Sequence, residues 1–242
     1  MKSIEIKSLS KKYKDLVAVD NLSLSVEEGE LYSLLGVNGA GKSTTVNMLC
    51  GLTNPTSGDA FLLGFDIKKD RNALSKLINV SPQETAIAPK LSVWENLLFV
   101  ASIYGIEKGE REIKTEKILA KMGLEEVKNK KAELLSGGMK RRLSIALALI
   151  SDPKILFLDE PTLGLDVLAR RELWKIINDL KGKITIVLTT HYMEEAEALS
   201  DRVGIMVKGK LVAEGTPSSL LEQTGATSFE DAFVQLVSGG AL

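Results

Sequence analysis

Alternating apolar and polar residues open the chain, and they predict strands. Residues 4–9 and 17–26 follow a period of two, as half-buried antiparallel strands do. Residues 31–35 form a short strand-like run that ends at Gly36, and a glycine-rich loop separates this run from a helical pattern at 44–49. The first part of the chain is therefore predicted to contain antiparallel strands followed by a strand–loop–helix unit.

The period changes to that of a helix between about residues 91 and 150. Ser92 and Glu95 form a possible capping box at the start of this stretch, and Ser136 can cap a later helix. We therefore expect a helical subdomain in the middle third of the chain.

Beyond this stretch the apolar residues form two continuous runs, at 155–158 and 184–188, with a helical pattern at 170–180 between them. Continuous apolar runs joined by a helix are typical of buried parallel strands with a crossover connection. After Thr216, the pattern at 229–237 predicts one short amphipathic helix. The whole pattern indicates an α/β protein.

Composition and charge exclude some classes of function, above all the binding of nucleic acid over a broad surface. The 242 residues suffice for a single core without metal or disulfide bonds, and 31 basic against 32 acidic residues leave a net charge of -1. This balance argues against a broad nucleic-acid-binding surface. Cys50 lies in an apolar helical pattern and is expected to be a small core residue in a reducing compartment. Since no signal peptide and no apolar run of ~20 residues is present, we expect a cytoplasmic protein.

The strongest local signal is a phosphate-binding loop, or P-loop, between the strand at 31–35 and the helix at 44–49. Its glycines let backbone N–H groups converge on phosphate oxygens, and the helix start adds a positive end. Lys42 reaches the β- and γ-phosphates, and Ser43 offers a hydroxyl to Mg²⁺. The residues predicted to bind the nucleotide here are Gly36, Asn38, Gly39, Ala40, Gly41, Lys42, Ser43 and Thr44.

Two carboxylates follow the apolar run at 155–158. The end of a strand delivers Asp159, which can hold Mg²⁺ directly or through water. Glu160 can orient or deprotonate the water that attacks the γ-phosphate. Two acids after a strand are usually a helix cap or a solvated turn, but a P-loop upstream in the same chain makes them candidates for nucleotide hydrolysis.

A third motif, Leu135-Ser136-Gly137-Gly138-Met139, lies shortly before that strand. Its glycines free the backbone at a helix start, which makes a second anion site. With this signature motif the sequence closely resembles the nucleotide-binding subunits of ABC transporters, from about residue 4 to 221. The resemblance implies that Ser136 and Gly138, with Gly137 between them, cover the γ-phosphate of an ATP held on the P-loop of a partner subunit.

The resemblance assigns four further positions. Gln83 matches the glutamine that contacts Mg²⁺ and the attacking water, and His191 matches the histidine that contacts the γ-phosphate. Asp166 matches the aspartate that bridges the two subunits, and Tyr13 fits the aromatic residue that stacks on adenine. Met139 departs from the family pattern, because many members have glutamine there.

The fold implied by the resemblance is a P-loop NTPase core with a mixed sheet, an N-terminal antiparallel β subdomain and a helical signature subdomain. Residues 1–224 are expected to form one ATPase domain, with the helical subdomain at about 90–150 and a short tail at 225–242. The implied protein binds ATP and Mg²⁺, pairs head-to-tail with an identical or related ATPase subunit, and drives a transmembrane permease. It would then lie on the inner face of the cell membrane through that permease.

The sequence segments around Met139 and at 162–166 and 190–197 resemble those of the family branch that includes bacterial drug and sodium exporters. A non-transport ABC protein, such as a translation factor or an assembly scaffold, is the alternative. Those that act on ribosomes carry two cassettes, whereas this chain has one P-loop and one signature motif. A soluble P-loop kinase or GTPase is a third class, but it leaves residues 135–139 and His191 unexplained.

Overall fold

A computed structural model describes residues 1–239. Their contacts divide the chain into two compact units. The first unit joins Met1–Ser75 to the segment that begins at Lys181, and the second comprises Lys76–Leu180. The last three residues of the predicted tail, 240–242, lie outside the described residues.

Strands and helices are numbered separately, in chain order. The strands are β1 Lys2–Tyr13, β2 Leu16–Glu27, β3 Leu31–Leu35, β4 Ser57–Leu62, β5 Phe65–Asp66, β6 Ile78–Ser81, β7 Ile155–Asp159, β8 Thr185–Thr190, β9 Arg202–Val207 and β10 Lys210–Gly215. The helices are α1 Lys42–Leu49, α2 Arg71–Leu74, α3 Val93–Ile103, α4 Lys108–Met122, α5 Gly137–Leu149, α6 Val167–Leu180, α7 Met193–Leu199, α8 Pro217–Thr224 and α9 Phe229–Gly239.

An antiparallel sheet in the first unit has the strand order β2-β1-β4-β5. β1 and β2 form a hairpin in which Ile4 lies opposite Val26, and both side chains are buried. The two alternating stretches near the N-terminus therefore predicted these antiparallel strands correctly. β1 continues to Tyr13, and its register shifts at several bulges on the way.

Strands β10, β9, β3 and β8 lie side by side in this order in the same unit. β3 is parallel to both neighbours, whereas β10 is antiparallel to β9, so the predicted mixed arrangement is confirmed. All five residues of β3 are buried, and the hydroxyl of Ser33 among them accepts a hydrogen bond from Ser200 Oγ at 2.6 Å. β8 begins one residue later than predicted and runs two residues further, because Thr189 and Thr190 are polar but β-branched and suit a buried strand.

Helix α9 confirms the predicted amphipathic helix at 229–237. Its residues Phe229 and Phe233 join a buried cluster that includes Leu35 and Ile205. Leu35 is the last residue of β3, directly before the predicted P-loop. The apolar face of α9 therefore belongs to the same core cluster as the end of the strand that carries the P-loop.

In the second unit β6 and β7 are parallel, and Ile78 lies opposite Ile155. Between them in the chain, α3, α4 and α5 pack on one another, which confirms the helical middle third. The capping box is also confirmed, since Glu95 N donates to Ser92 Oγ at 3.1 Å and Ser92 N donates to Glu95 Oε2 at 2.7 Å. Within residues 1–239, no helix is long and apolar enough to cross a lipid bilayer.

Candidate functional site

The predicted P-loop connects β3 to α1, and backbone hydrogen bonds hold it at both ends. Gly36 N donates to Thr190 O at 3.2 Å, at the end of β8. Gly209 N, in the turn between β9 and β10, donates to Ala40 O at 3.0 Å. Asn38 and Gly39 lie exposed between these two anchors. The loop is thus held by its neighbours and presents its central residues to solvent.

Two glycines of the loop are required by close backbone approach. A side chain at Gly36 would collide with the carbonyl oxygen of Met206, and one at Gly41 would collide with that of Ala18. Gly41 also has a φ of 103°, in the left-handed region that side chains disfavour. Gly41 occupies the N-cap of α1 and brings no side chain to cap the first N–H groups of the helix. Those groups can therefore bind an anion.

Lys42 supplies the positive charge of this site. Its side chain is only 4% exposed, and Nζ donates to Gly36 O at 2.7 Å and to Val37 O at 3.3 Å. The ammonium group is thereby held inside the curve of the loop. Ser43 and Thr44 follow in the first turn of α1, where both are partly buried. A helix start, a buried lysine and two hydroxyls together fit the phosphates of a nucleotide.

The first unit also brings His191 beside the P-loop. β3 and β8 are parallel with Leu35 opposite Thr190, so Gly36 and His191 follow from the same edge of two adjacent strands. The His191 ring lies 4.1 Å from the ring of Tyr192, measured between centroids. This position agrees with the predicted contact of His191 with a γ-phosphate, because the P-loop begins at Gly36, directly after the adjacent strand β3.

Tyr13 ends β1 and is 45% exposed. The ammonium of Lys11 lies 4.7 Å from the centroid of its ring. Tyr13 pairs with Leu16 on β2, and Ala18, two residues further along β2, approaches Gly41 of the P-loop. The end of the hairpin that carries Tyr13 therefore lies near the phosphate site, as an adenine-stacking ring requires.

In the second unit, β7 delivers the two predicted acids. Asp159 ends the strand and is 9% exposed, and Glu160 follows it and is 8% exposed. Glu160 has a φ of 46°, which is uncommon for a residue other than glycine. Leu163 N donates to Glu160 O at 3.2 Å and closes the turn. The backbone of Glu160 is thus held in a disfavoured conformation, of the kind that clusters at functional sites.

The signature motif starts α5, and the predicted subunit-bridging aspartate starts α6. Ser136 is exposed, and its Oγ accepts a hydrogen bond from Met139 N at 3.3 Å. A side chain at Gly138 would come within 3.0 Å of Ala169 Cβ, so the two helix starts lie against each other. Asp166 Oδ1 caps α6 by accepting from the N–H groups of Leu168 and Ala169 at 2.9 Å each. The structure therefore brings the signature motif and Asp166 together.

Arg141 connects the segment of Gln83 to that of Glu160, and the sequence analysis missed it. Nη1 donates to Pro82 O at 2.6 Å, and Nη2 donates to Gln83 O at 2.6 Å and to Glu160 O at 3.4 Å. The Gln83 side chain itself is exposed. One signal was available, because Arg141 shares the buried face of α5 with Ser144 at helical spacing.

The residues predicted to hold Mg²⁺ are oxygen donors of the kind this ion prefers. They are the hydroxyl of Ser43, the carboxylate of Asp159 and the side-chain amide of Gln83. Within residues 1–239, no three His, Cys, Asp or Glu side chains cluster closely enough to hold a metal ion by themselves. This donor set fits an ion that is held largely by nucleotide phosphates and water.

The profile of the ABC transporter family matches residues 19–163. Over 240 residues, 97% of the chain, the sequence is 41% identical to the probable multidrug ABC transporter ATP-binding protein YbhF of Escherichia coli, and it spans 41% of that protein's length. It is 38% identical to the linearmycin resistance ATP-binding protein LnrL of Bacillus subtilis, with 98% of this chain and 75% of LnrL covered.

A solved structure of the ATP-binding cassette MJ0796 has a closely similar fold. That structure is a dimer in a post-hydrolysis state, bound to ADP and Pi. It superposes with a TM-score of 0.79 at 28% sequence identity, over 88% of this chain and 98% of MJ0796. The P-loop core with its mixed strands and helices is therefore an architecture shared with a nucleotide-binding protein.

Proposed function

Since the chain belongs to the ABC transporter family as its ATP-binding and ATP-hydrolysing domain, we propose that two such domains enclose Mg-ATP and drive a separate membrane permease. One observation carries the proposal. The chain has two helix starts suited to an anion, at Gly41 and at Ser136. The second is exposed on its own unit, so it is available to the nucleotide of another copy.

Hydrolysis in this proposal uses Glu160 as the general base that orients and deprotonates the attacking water. Lys42 and the start of α1 bind the phosphates, and His191 contacts the γ-phosphate beside Gly36. When bound, Mg²⁺ neutralises charge on the phosphate oxygens. Ser43, Asp159 and Gln83 are the residues that would hold it.

Nucleotide, rather than the protein surface alone, is proposed to close the dimer. A hydrogen bond to a charged group contributes ~1.5–3 kcal/mol, and several form at each shared phosphate. Three large apolar side chains near the signature motif and Asp166 are exposed and would be covered on closure. They are Leu134 at 59%, Val167 at 61% and Leu168 at 75% exposure. Removal of the γ-phosphate by hydrolysis would let the dimer open again.

The proposed partner beyond the second ATPase domain is a transmembrane permease, and the proposed direction of transport is export. Support comes from the relatives, which are named for multidrug transport and for resistance to linearmycin. The chain would then lie on the inner face of the cell membrane, held there by the permease. These names favour transport over a role in translation or cofactor assembly.

Isolation of the intact complex from membranes tests this proposal. A tagged chain, extracted in mild detergent, should retain a membrane-spanning protein in a fixed ratio, and addition of its transported compound should raise ATP hydrolysis. The control is the same purification with Ser136→Arg, which we expect to keep the permease but to lose the stimulated hydrolysis. Recovery of the chain with ribosomes instead of a membrane protein would overturn the proposal.

A further inference from the structure

Arg141 is a buried charge that bonds to two distant segments of the second unit. It is 4% exposed, although a guanidinium loses much solvation when it leaves water. Its two terminal nitrogens reach three backbone carbonyl oxygens, those of Pro82, Gln83 and Glu160. The rigid planar fork of arginine suits such simultaneous bonds, whereas the ammonium of lysine is a point charge.

A second contact ties α5 to the same strand end. Ser144 Oγ and Ser81 Oγ lie 2.9 Å apart in a buried hydrogen bond, and Ser81 is the residue before Pro82. α5 therefore holds the chain at Ser81, Pro82 and Gln83 in succession. The segment that carries Gln83 is thereby attached to one helix.

The third carbonyl belongs to the residue with the unusual backbone. Glu160 has a φ of 46°, and its carbonyl oxygen accepts from Leu163 N and from Arg141. The rotamers open to a side chain depend on the φ and ψ of its backbone. A group that holds this carbonyl therefore restricts the directions that the Glu160 carboxylate can take.

We propose that Arg141 is a positioning residue for ATP hydrolysis, which holds the Glu160 backbone and the Gln83 segment in their working arrangement. The inference rests on the proposed role of Glu160 as the general base. Arg141 lies five residues after Ser136, and α5 begins at Gly137, so about 7.5 Å of continuous helix joins them. The contact of Ser136 with one nucleotide and the alignment of Glu160 at the other are thus mechanically linked.

The test compares Arg141→Met with a matched variant of the next residue, Arg142→Met. Arg142 lies on the same helix and donates to Met122 O at 3.2 Å and Gly123 O at 3.4 Å, at the end of α4. Because small displacements of a catalytic group cost up to ~10²-fold in rate, we expect Arg141→Met to lower kcat at least about tenfold. Its KM for ATP should change less than about threefold, since the P-loop is untouched.

Arg142→Met should lower the melting temperature and keep kcat within about twofold of the parent, as expected for a residue whose bonds reach the end of α4 and Glu172 instead of the Gln83 and Glu160 segments. Arg141→Lys keeps a buried cation and should recover part of the rate, with about a three- to tenfold loss remaining, because one ammonium cannot reproduce the fork. If Arg141→Met does not fold, the kcat of Arg141→Lys alone tests the positioning role. A parental kcat in Arg141→Lys, or equal losses in Arg141→Met and Arg142→Met, would overturn the proposal.

Glu160→Gln, measured in the same assay, separates this inference from the proposed function. If Glu160→Gln loses turnover and the Arg141 variants do not, only the positioning role is wrong. If Glu160→Gln itself keeps its turnover, the assignment of the general base is wrong, and the positioning role is overturned with it.

Discussion

The two helix starts that can bind an anion differ in how much of the site each one supplies. At the P-loop, Gly41 brings no side chain to cap α1, and Lys42 adds a buried positive charge. At the signature motif, Ser136 already caps α5 through Met139 N, and the motif itself has no lysine. The start of α1 combines a helix N-terminus with a charged side chain and suits a phosphate by itself. The start of α5 lacks that charge and suits an additional contact to a phosphate that is bound elsewhere.

In the proposed dimer, the two helix starts would therefore contribute differently to one nucleotide. The P-loop would provide most of the binding energy, since charge-assisted hydrogen bonds are roughly twice as strong as neutral ones. The exposed hydroxyl of Ser136 and the start of α5 would provide the smaller contribution by which a bound nucleotide bridges two subunits. Variants at each start should therefore fail in different ways.

The largest expected change is a loss of ATP turnover on substitution of Glu160, which lies in neither of the two helix starts. A positioned general base contributes ~10²–10⁴ in rate, so Glu160→Gln should lower turnover by about that factor while ATP still binds at the P-loop. ATP should then accumulate unhydrolysed in a closed dimer. Steady-state phosphate release measured beside ATP binding checks this. The matched control is Glu172→Gln, at an exposed residue of the same unit, which should keep full turnover.

A Glu160→Gln variant that retains more than about a tenth of the parental turnover would contradict the assignment, because it falls below the lower bound for a general base. The carboxylate would then be a structural part of the turn that ends β7.

The next effect tests the P-loop. Lys42→Ala removes the buried charge that reaches the phosphates and should weaken ATP binding about 10- to 140-fold, from ~1.5–3 kcal/mol at 1.4 kcal/mol per decade. Calorimetric titration measures the dissociation constant, and circular dichroism checks that the fold is intact. Lys69→Ala, at a lysine with an 82% exposed side chain, serves as the control and should bind like the parent. An unchanged affinity in Lys42→Ala would remove the P-loop assignment.

The smallest effect on ATP binding, but a large one on assembly, should come from Ser136. Ser136→Arg places bulk and charge where the partner's phosphate must lie, so ATP should still bind to the monomer and fail to produce a dimer. Sedimentation with Mg-ATP in the Glu160→Gln background measures this. Ser136→Ala, which removes only the cap, should cost ~0.5–2 kcal/mol in stability and weaken the dimer less. The same ATP-dependent dimer in Ser136→Arg would exclude a bridging role.

Sequence patterns predicted those parts of the site that are contiguous in the chain. Lys42 and Asp159 stand in local strand–loop or strand-end patterns, whose physical meaning can be read without the fold. Arg141 could not be found in this way, because its carbonyl partners at Pro82 and Gln83 lie 59 and 58 residues away. Every residue type has a backbone carbonyl, so the sequence does not show which residues accept such hydrogen bonds.

Element boundaries were missed where the first turn of a helix is exposed to solvent. α4 begins at Lys108, five residues before Ile113, the first apolar residue of its helical pattern, because its first turn is charged and exposed. α6 begins at Val167 instead of 170, since Asp166 caps it and its first residues face solvent. In both helices the apolar period starts only where the helix meets its neighbours.

The central claim is that each nucleotide is enclosed by the P-loop of one copy and the signature motif of another. The most direct measurement mixes two inactive variants, Lys42→Ala and Ser136→Arg, and records ATP hydrolysis. A head-to-tail dimer of the two contains one site with both defects and one intact site, so an equimolar mixture should hydrolyse ATP faster than either variant alone, up to about a quarter of the parental rate if the two variants pair at random. Hydrolysis in the mixture no higher than in either variant alone would contradict the account, because sites built within one copy cannot complement each other.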